Sequence, residues 1–449
     1  MSPAIGREVV RLAVPAIMTG LLGTAVFLAD RMMLARHHGD ALASMQLQGP
    51  LMWSIGSVFM ATCAGTVALV ARSTGAGDFV RARAVARASL RIAASLGLAV
   101  AVLGSIGLEQ LVAFFGPAEL ALRELSHDYL GITLAALPAS FVATSASMIL
   151  AGSGDTRTPL FAGLLANGTN IALNAVLIYG NDLLHVEPMG VRGAAIGTAS
   201  AFTIEAIALL YVLGRPRHPL CIAGWLRVRD REAVRDVLRI SAPAVAERVL
   251  VHAGFLAYAK AITTLGPTAM AANQALITIE SICFMCADGF GVAAATVMGQ
   301  SLGRRDPAGA REGGAIAVGL AAISITTVGV LLWASGDWTL PWFVAPGEDG
   351  TALVGAAKSV LPLLAIVQPF MTAGIVLAMG LRGAGDTRSP LVAAIFGGLL
   401  VRVGLAWGLT VGLELGLVGI WWASTIDWIV RTIWLVAIFR RGAWTHARV

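Results

Sequence analysis

Gly154-Asp155-Thr156-Arg157-Thr158-Pro159 returns as Gly385-Asp386-Thr387-Arg388-Ser389-Pro390, 231 residues later in a chain of 449. Each copy closes one long apolar stretch and opens the next. Glycine permits a tight turn, Asp and Thr offer oxygens to the first N–H groups of a helix, and Pro is tolerated in the first helical turn. The phrase therefore reads as a hairpin between two helices rather than as a ligand contact. Its recurrence implies two related halves. Three further pairs support this. Arg11-Leu12-Ala13-Val14-Pro15 matches Arg239-Ile240-Ser241-Ala242-Pro243, and Ser73-Thr74-Gly75-Ala76-Gly77-Asp78 matches Ser301-Leu302-Gly303-Arg304-Arg305-Asp306. Gly190-Val191-Arg192-Gly193 matches Gly416-Leu417-Val418-Gly419.

Hydrophobic residues make up 57% of the chain and charged residues 13%; the mean hydropathy is +0.79. Soluble domains carry roughly 25% charged residues, so this chain belongs in a bilayer. Runs long enough to span, about 20 residues each, occur at residues 9–35, 42–71, 85–108, 129–151, 160–178 and 194–213. A second set follows at residues 237–265, 271–298, 315–332, 360–379, 391–411 and 419–439. The expected fold is an all-α membrane protein of twelve transmembrane helices in two six-helix lobes. An even number of spans per lobe makes this a parallel internal repeat, as in transporters built from two bundles. The expected division is an N-lobe over 1–213, a polar linker over 214–236 and a C-lobe over 237–449.

The net charge of +6 does not point to nucleic acid, because the arginines cluster in alternate loops: Arg72, Arg81 and Arg83; Arg215 to Arg235; Arg304, Arg305 and Arg311; Arg440, Arg441 and Arg448. The opposite loops are acidic, with Glu119, Glu124 and Asp128, then Asp182 and Glu187, then Asp337, Glu348 and Asp349, then Glu414. The positive-inside rule then places both termini in the cytoplasm, and the composition suggests a bacterial inner membrane. The first apolar stretch is too long for a cleavable signal and contains Pro15 and Asp30. Cys63, Cys221, Cys283 and Cys286 read as packing residues, since the lone C-x-x-C has no further ligands at metal spacing.

An ionisable residue inside a span costs about 2.5–3.5 kcal/mol on insertion scales, which makes Asp30 in the first span the sharpest functional candidate. Asn170 and Asn174 lie one turn apart on the fifth helix and share a face. Thr198 lies one turn into the sixth. Topology puts all four in one layer of the outer half. Such a set takes a proton on Asp30 or a small hard cation, Na+, on its oxygens. The second half differs: Tyr258 stands near the place of Asp30, Val401 and Leu405 replace the asparagines, and Ser424 answers Thr198. Asp427 and Arg431 are spaced to pair within one helix. Glu247 and Glu280 either attract a cationic substrate or pair with Lys260 or Arg402. Tyr258, Phe284 and Met371 are candidates, with those two acids, for a substrate-contacting wall.

The chain resembles the multidrug and toxic compound extrusion (MATE) family over essentially its whole length. The motifs are Gly380-Leu381-Arg382-Gly383-Ala384-Gly385-Asp386-Thr387-Arg388, the run Gly291-Val292-Ala293-Ala294-Ala295-Thr296-Val297-Met298-Gly299-Gln300-Ser301-Leu302-Gly303, Pro15, and Gly193-Ala194-Ala195-Ile196-Gly197-Thr198. The resemblance implies an antiporter that exports organic, often cationic, compounds as H+ or Na+ enters, with no cofactor and no enzymatic activity. In it Asp30 matches the coupling carboxylate, and Asn170 and Thr198 two of its partners. Asn174 stands where many members have Asp, which favours protons over sodium, and Met371 stands where some have a second acid, which argues against sodium coupling in the C-lobe. The expected partners are a small organic substrate and lipid, with the chain acting as a monomer. A lipid-linked oligosaccharide flippase of the same superfamily would need a more basic cleft. An intramembrane enzyme would need a nucleophile–base pair or a metal cluster within the spans.

Overall fold

The computed structural model describes residues 3–37, 48–115, 120–227, 230–344 and 349–447. Glu119, Arg229, Glu348, Arg448 and the expected start of the second span lie outside the described residues. In a bilayer each backbone group must find its partner inside its own segment, and the apolar runs are accordingly helical. They are α1 Pro3–His37, α2 Gly49–Gly75, α3 Phe79–Ile106, α4 the bent pair Leu122–Ala135 and Leu137–Ser153, α5 Arg157–Leu177 and α6 Gly190–Gly214. The second set is α7 Arg231–Thr263, α8 Pro267–Gly303, α9 Pro307–Ala334, α10 Thr351–Gly383, α11 Arg388–Gly412 and α12 Gly416–Arg441. Eleven are single helices of spanning length, and the bent pair completes twelve. No strand occurs among the described residues; Asn181 and Val186 form one isolated bridge.

The 47° bend of α4 follows Ala136 and has a local cause. Pro138 lacks an N–H and its ring crowds the preceding turn. Gly97 of α3 lies against that bend, where an added Cβ would sit 2.6 Å from the Pro138 Cα.

The repeated phrase is a capping device. Gly154 and Gly385 take left-handed φ values of 94° and 97°, which a glycine adopts without strain. Asp155 Oδ1 then accepts from the N–H groups of Arg157 (3.1 Å) and Thr158 (3.0 Å), and its Oδ2 from the Thr158 hydroxyl (2.6 Å). Asp386 does the same for Ser389, at 3.0 Å from the amide and 2.6 Å from the hydroxyl. The carboxylate alone caps; Thr156 and Thr387 make no cap bond. Asp78 and Asp306 start α3 and α9 in the same way, accepting from Arg81 N (2.9 Å) and Gly309 N (2.8 Å).

Two compact units result. One comprises residues 18–239, and the other joins residues 240–449 to the start of α1 as far as Ile17. Val9, Leu12 and Ala13 sit in the second unit's core with Cys283, Ala287, Phe290, Ala293 and Met371. Gly289 admits this approach, since a Cβ there would lie 2.7 Å from Ile17 N. The polar linker belongs to the first unit. Arg81 of α3 pairs with Asp236, Arg83 Nε donates to the Pro219 carbonyl at 2.7 Å, and Arg87 Nη2 to that of Cys221 at 3.4 Å.

Candidate functional site

Asp30 is carried by α1 and is only 8% exposed; Asn170 and Asn174 are 1% and 0% exposed. The i,i+4 spacing on α5 aims both amides at the same neighbour. Asn174 Nδ2 donates to Asp30 Oδ1 at 2.6 Å, a short charge-assisted bond if the carboxylate is ionised. No ion pair reaches Asp30 among the described residues. An apolar cluster of Leu34, Ile178, Val191, Ala194 and Ala195 packs beside the site.

The Asn170 amide meets Asp30 Oδ1 at 2.8 Å, and its hydrogen-bonding surroundings place Nδ2 toward the carboxylate. With Nδ2 forward it donates to the carboxylate, and its oxygen accepts from the Thr198 backbone N–H at 3.2 Å.

α6 is shaped to stand close to α5. A Cβ on Gly193 would lie 2.6 Å from the Leu177 carbonyl. A Cβ on Gly197 would overlap Asn174 Oδ1 and come within 3.1 Å of its Cγ. This small-xxx-small face allows two membrane helices to approach closely. It leaves Asn174 Oδ1 buried and without a hydrogen-bond partner. Thr198 directs its hydroxyl to the Ala194 carbonyl at 3.0 Å. Tyr129 of α4 lies in electrostatic reach of both Thr198 and Asp30. Sequence reasoning missed both Tyr129 and Gly197. A buried tyrosine in a span, whose polar tip needs a partner, was the available signal for the first. The G-x-x-x-G spacing was the signal for the second.

The second unit holds the other candidates. Glu247 is engaged by Arg382 of α10, with Nη2 to Oε1 at 2.5 Å, rather than by Lys260 or Arg402. Glu280 lies in electrostatic reach of Arg402. Tyr258 is 5% exposed, and Met371 at 1% is an interior core residue. Phe284 and Met379 are partly buried against that same core. Asp427 is fully buried and accepts a two-pronged contact from Arg431, at 2.5 and 2.7 Å. Among the described residues no group of three or more His, Cys, Asp or Glu side chains is placed to hold a metal ion.

A family model described as MatE matches residues 15–176 and 243–426. A probable multidrug resistance protein NorM of Bradyrhizobium diazoefficiens is 30% identical, over 96% of this chain and 92% of its own length. Its counterpart in Thermotoga maritima is 26% identical over 100% of this chain and 95% of its own. Among solved structures, a MOP superfamily transporter from Pyrococcus furiosus superposes with a TM-score of 0.89 at 24% identity, covering 97% of this chain and 95% of its own. The outward-facing form of a MATE family multidrug resistance transporter gives 0.88 at 23%, over 98% and 96%. These two show the shared fold.

Proposed function

This chain belongs to the MATE family of efflux transporters, and from that premise we propose that it exports organic, predominantly cationic compounds by alternating access in exchange for inward protons, with Asp30 as the coupling carboxylate. The observation that carries this reading is Asp30 buried within a span, with the amides of Asn170 and Asn174 as its partners and no ion pair among the described residues. Charged Asp30 holds both α5 amides by their N–H groups. A proton arriving from outside removes the charge and weakens the amide contacts that Asn170 and Asn174 make to it. α1, α5 and α6 then repack, and that rearrangement expels substrate. Loss of the proton on the inner side restores the first state.

Sodium coupling is the second reading, favoured by the unpartnered Asn174 Oδ1. A sodium ion would need that oxygen and Asn170 Oδ1 turned inward beside Asp30 and the Thr198 hydroxyl. The N–H groups now face Asp30, so the resting arrangement suits a proton better. Of the second unit's candidates, Phe284 is read as a contact for a cationic, partly aromatic substrate, with Glu247, Glu280, Tyr258 and Met371 as its support. Both termini are read as cytoplasmic, the membrane as the bacterial inner membrane, and the protein as a monomer.

The test is reconstitution in liposomes with a cationic dye. An imposed proton gradient drives dye movement by the wild type, and a sodium gradient alone does not. Asp30→Asn inserts and folds but moves no dye under either gradient. Gradient-driven transport by Asp30→Asn at the wild-type rate refutes the assignment.

A further inference from the structure

The two halves carry the same kind of locus with opposite charge. In the first half the acid Asp30 stands on the first helix, amides on the fifth and Thr198 on the sixth. In the second half the matching places hold Tyr258 on α7 and Ser424 on α12. The side chain that joins them comes from α11. Arg402 donates from Nη2 to the Ser424 hydroxyl at 3.0 Å, and its guanidinium carbon lies 5.6 Å from the centre of the Tyr258 ring. Its Nε lies 2.8 Å from Asp427 Oδ2, off the hydrogen-bond axis. Glu280 of α8 is a second carboxylate in electrostatic reach of Arg402 and Tyr258. Asp427 also accepts from Arg431 at both oxygens. Trp428 flanks both guanidiniums, 5.8 Å from Arg402 and 4.8 Å from Arg431.

The backbone of α11 explains how an arginine came to stand here. Residues Ile395–Val401 and Gly408–Gly412 are π-helical, and Arg402–Trp407 between them is α-helical. A π turn takes up one extra residue and rotates the remainder of the helix about its axis. The 231-residue offset of the preceding Gly-Asp-Thr-Arg turn sets Val401 against Asn170, yet the residue that reaches Ser424 is Arg402. The first π segment rests on Gly397 and Gly398, where an added Cβ would lie 2.9 Å from Arg431 Nε and Cζ respectively.

We propose that the Arg402 guanidinium is a tethered cation filling the second half's own monovalent-cation site, so that this half binds no exchangeable ion. Withdrawing it exposes Glu280, Asp427 Oδ2, the Tyr258 hydroxyl and the Ser424 hydroxyl as an oxygen-lined acceptor for Na+. The corollary, that coupling runs through Asp30 alone, rests on the function proposed above; the occupancy of the site by Arg402 does not.

The experiment measures equilibrium binding of radioactive Na+ to the purified full-length protein at about pH 9, where protons compete least. Asp30→Asn serves as the background, silencing the first half. Asp30→Asn alone binds no saturable Na+. Adding Arg402→Ala yields about one saturable Na+ per chain, and adding Arg402→Lys yields none, because a tethered charge again fills the place. Arg402→Gln replaces the alanine variant if that one fails to give a monodisperse, cooperatively melting protein. No gain of Na+ in the folded alanine or glutamine variant overturns the proposal. So does equal gain in the lysine variant, or saturable binding already present in Asp30→Asn. Dye transport by Asp30→Asn is read separately: if it persists, the Asp30 assignment fails while the Na+ result still decides the role of Arg402.

Discussion

Gly197→Ala is the sharpest single probe of the Asp30 site, because it adds one methyl group and touches neither Asp30 nor its chemistry. In a helix interior Gly→Ala is intrinsically favourable by about 0.8–1 kcal/mol, so backbone propensity predicts a slightly more stable protein. The local geometry predicts the opposite for function. The new Cβ would overlap Asn174 Oδ1 and stand 3.1 Å from Cγ and 3.5 Å from Asn170 Nδ2. The amide is the movable party, and it leaves by giving up its 2.6 Å bond to Asp30 Oδ1. A hydrogen bond to a charged group is worth about 1.5–3 kcal/mol, and each 1.36 kcal/mol is tenfold. The charged state of the site is therefore weakened about ten- to a hundredfold against the neutral one. The assay is proton-driven dye transport in liposomes, beside melting temperature in detergent. Gly168→Ala on α5, with open space at its Cβ, is the control. Transport should fall at least tenfold in Gly197→Ala with only a modest loss of melting temperature, since helix propensity offsets part of the lost bond, and Gly168→Ala should transport normally. Wild-type transport by Gly197→Ala, or a parallel collapse of stability, would refute the reasoning.

Asp427→Asn leaves two guanidiniums beside a neutral, buried amide. Removing one partner of a buried pair costs about 3–5 kcal/mol, which should appear as a lowered melting temperature of the purified protein. Arg81→Ala frees the linker from α3 at its pair with Asp236. The pair is partly exposed and worth no more than about 1 kcal/mol, so overall stability should hardly change while protease cleavage within residues 215–227 accelerates. His218 in the same linker is held below its ordinary value of 6.5 by burial, with Asp155 opposing. Its Nδ1 accepts the Leu220 N–H at 3.1 Å, which a protonated ring cannot do. Folding thus favours the neutral ring. The linker's docking is complete above about pH 6.5 and is lost as pH falls through the lowered folded value. Cleavage should quicken over that window in the wild type and lose its pH dependence in His218→Gln.

The spans were legible because a bilayer demands long apolar helices, and the repeat because both copies of each turn need the same glycine and capping carboxylate. The convergence of Asp30, Asn170, Asn174 and Thr198 was legible from depth and the i,i+4 rule together. Other features escaped sequence reasoning for particular reasons. Tyr129 joins the site from α4, whose bend at Pro138 no offset or period describes. Gly197 acts by what it lacks. The partner of Glu247 is Arg382, because a residue at a helix end counted as loop in the sequence stands in fact on the last turn of α10. Arg402 displaces Val401 from its expected place because hydrophobic periodicity does not reveal a π turn.

The asymmetry of the halves follows from where fixed charge sits. Each half buries a carboxylate on or near the same set of helices, Asp30 in the first and Asp427 in the second. Asp427 has two guanidiniums within ion-pair distance, and their charges travel with the chain. Asp30 has amide hydrogens and no fixed cation among the described residues. In a medium of low dielectric a buried negative charge calls for a compensating positive one. Where the chain supplies it permanently, nothing is exchanged and the site is structural. Where the chain does not, compensation has to come from a mobile ion, and the energy of that ion's gradient can enter the protein there. On the function proposed above, an arginine in one half and asparagines in the other leave Asp30 as the single place where charge is exchanged.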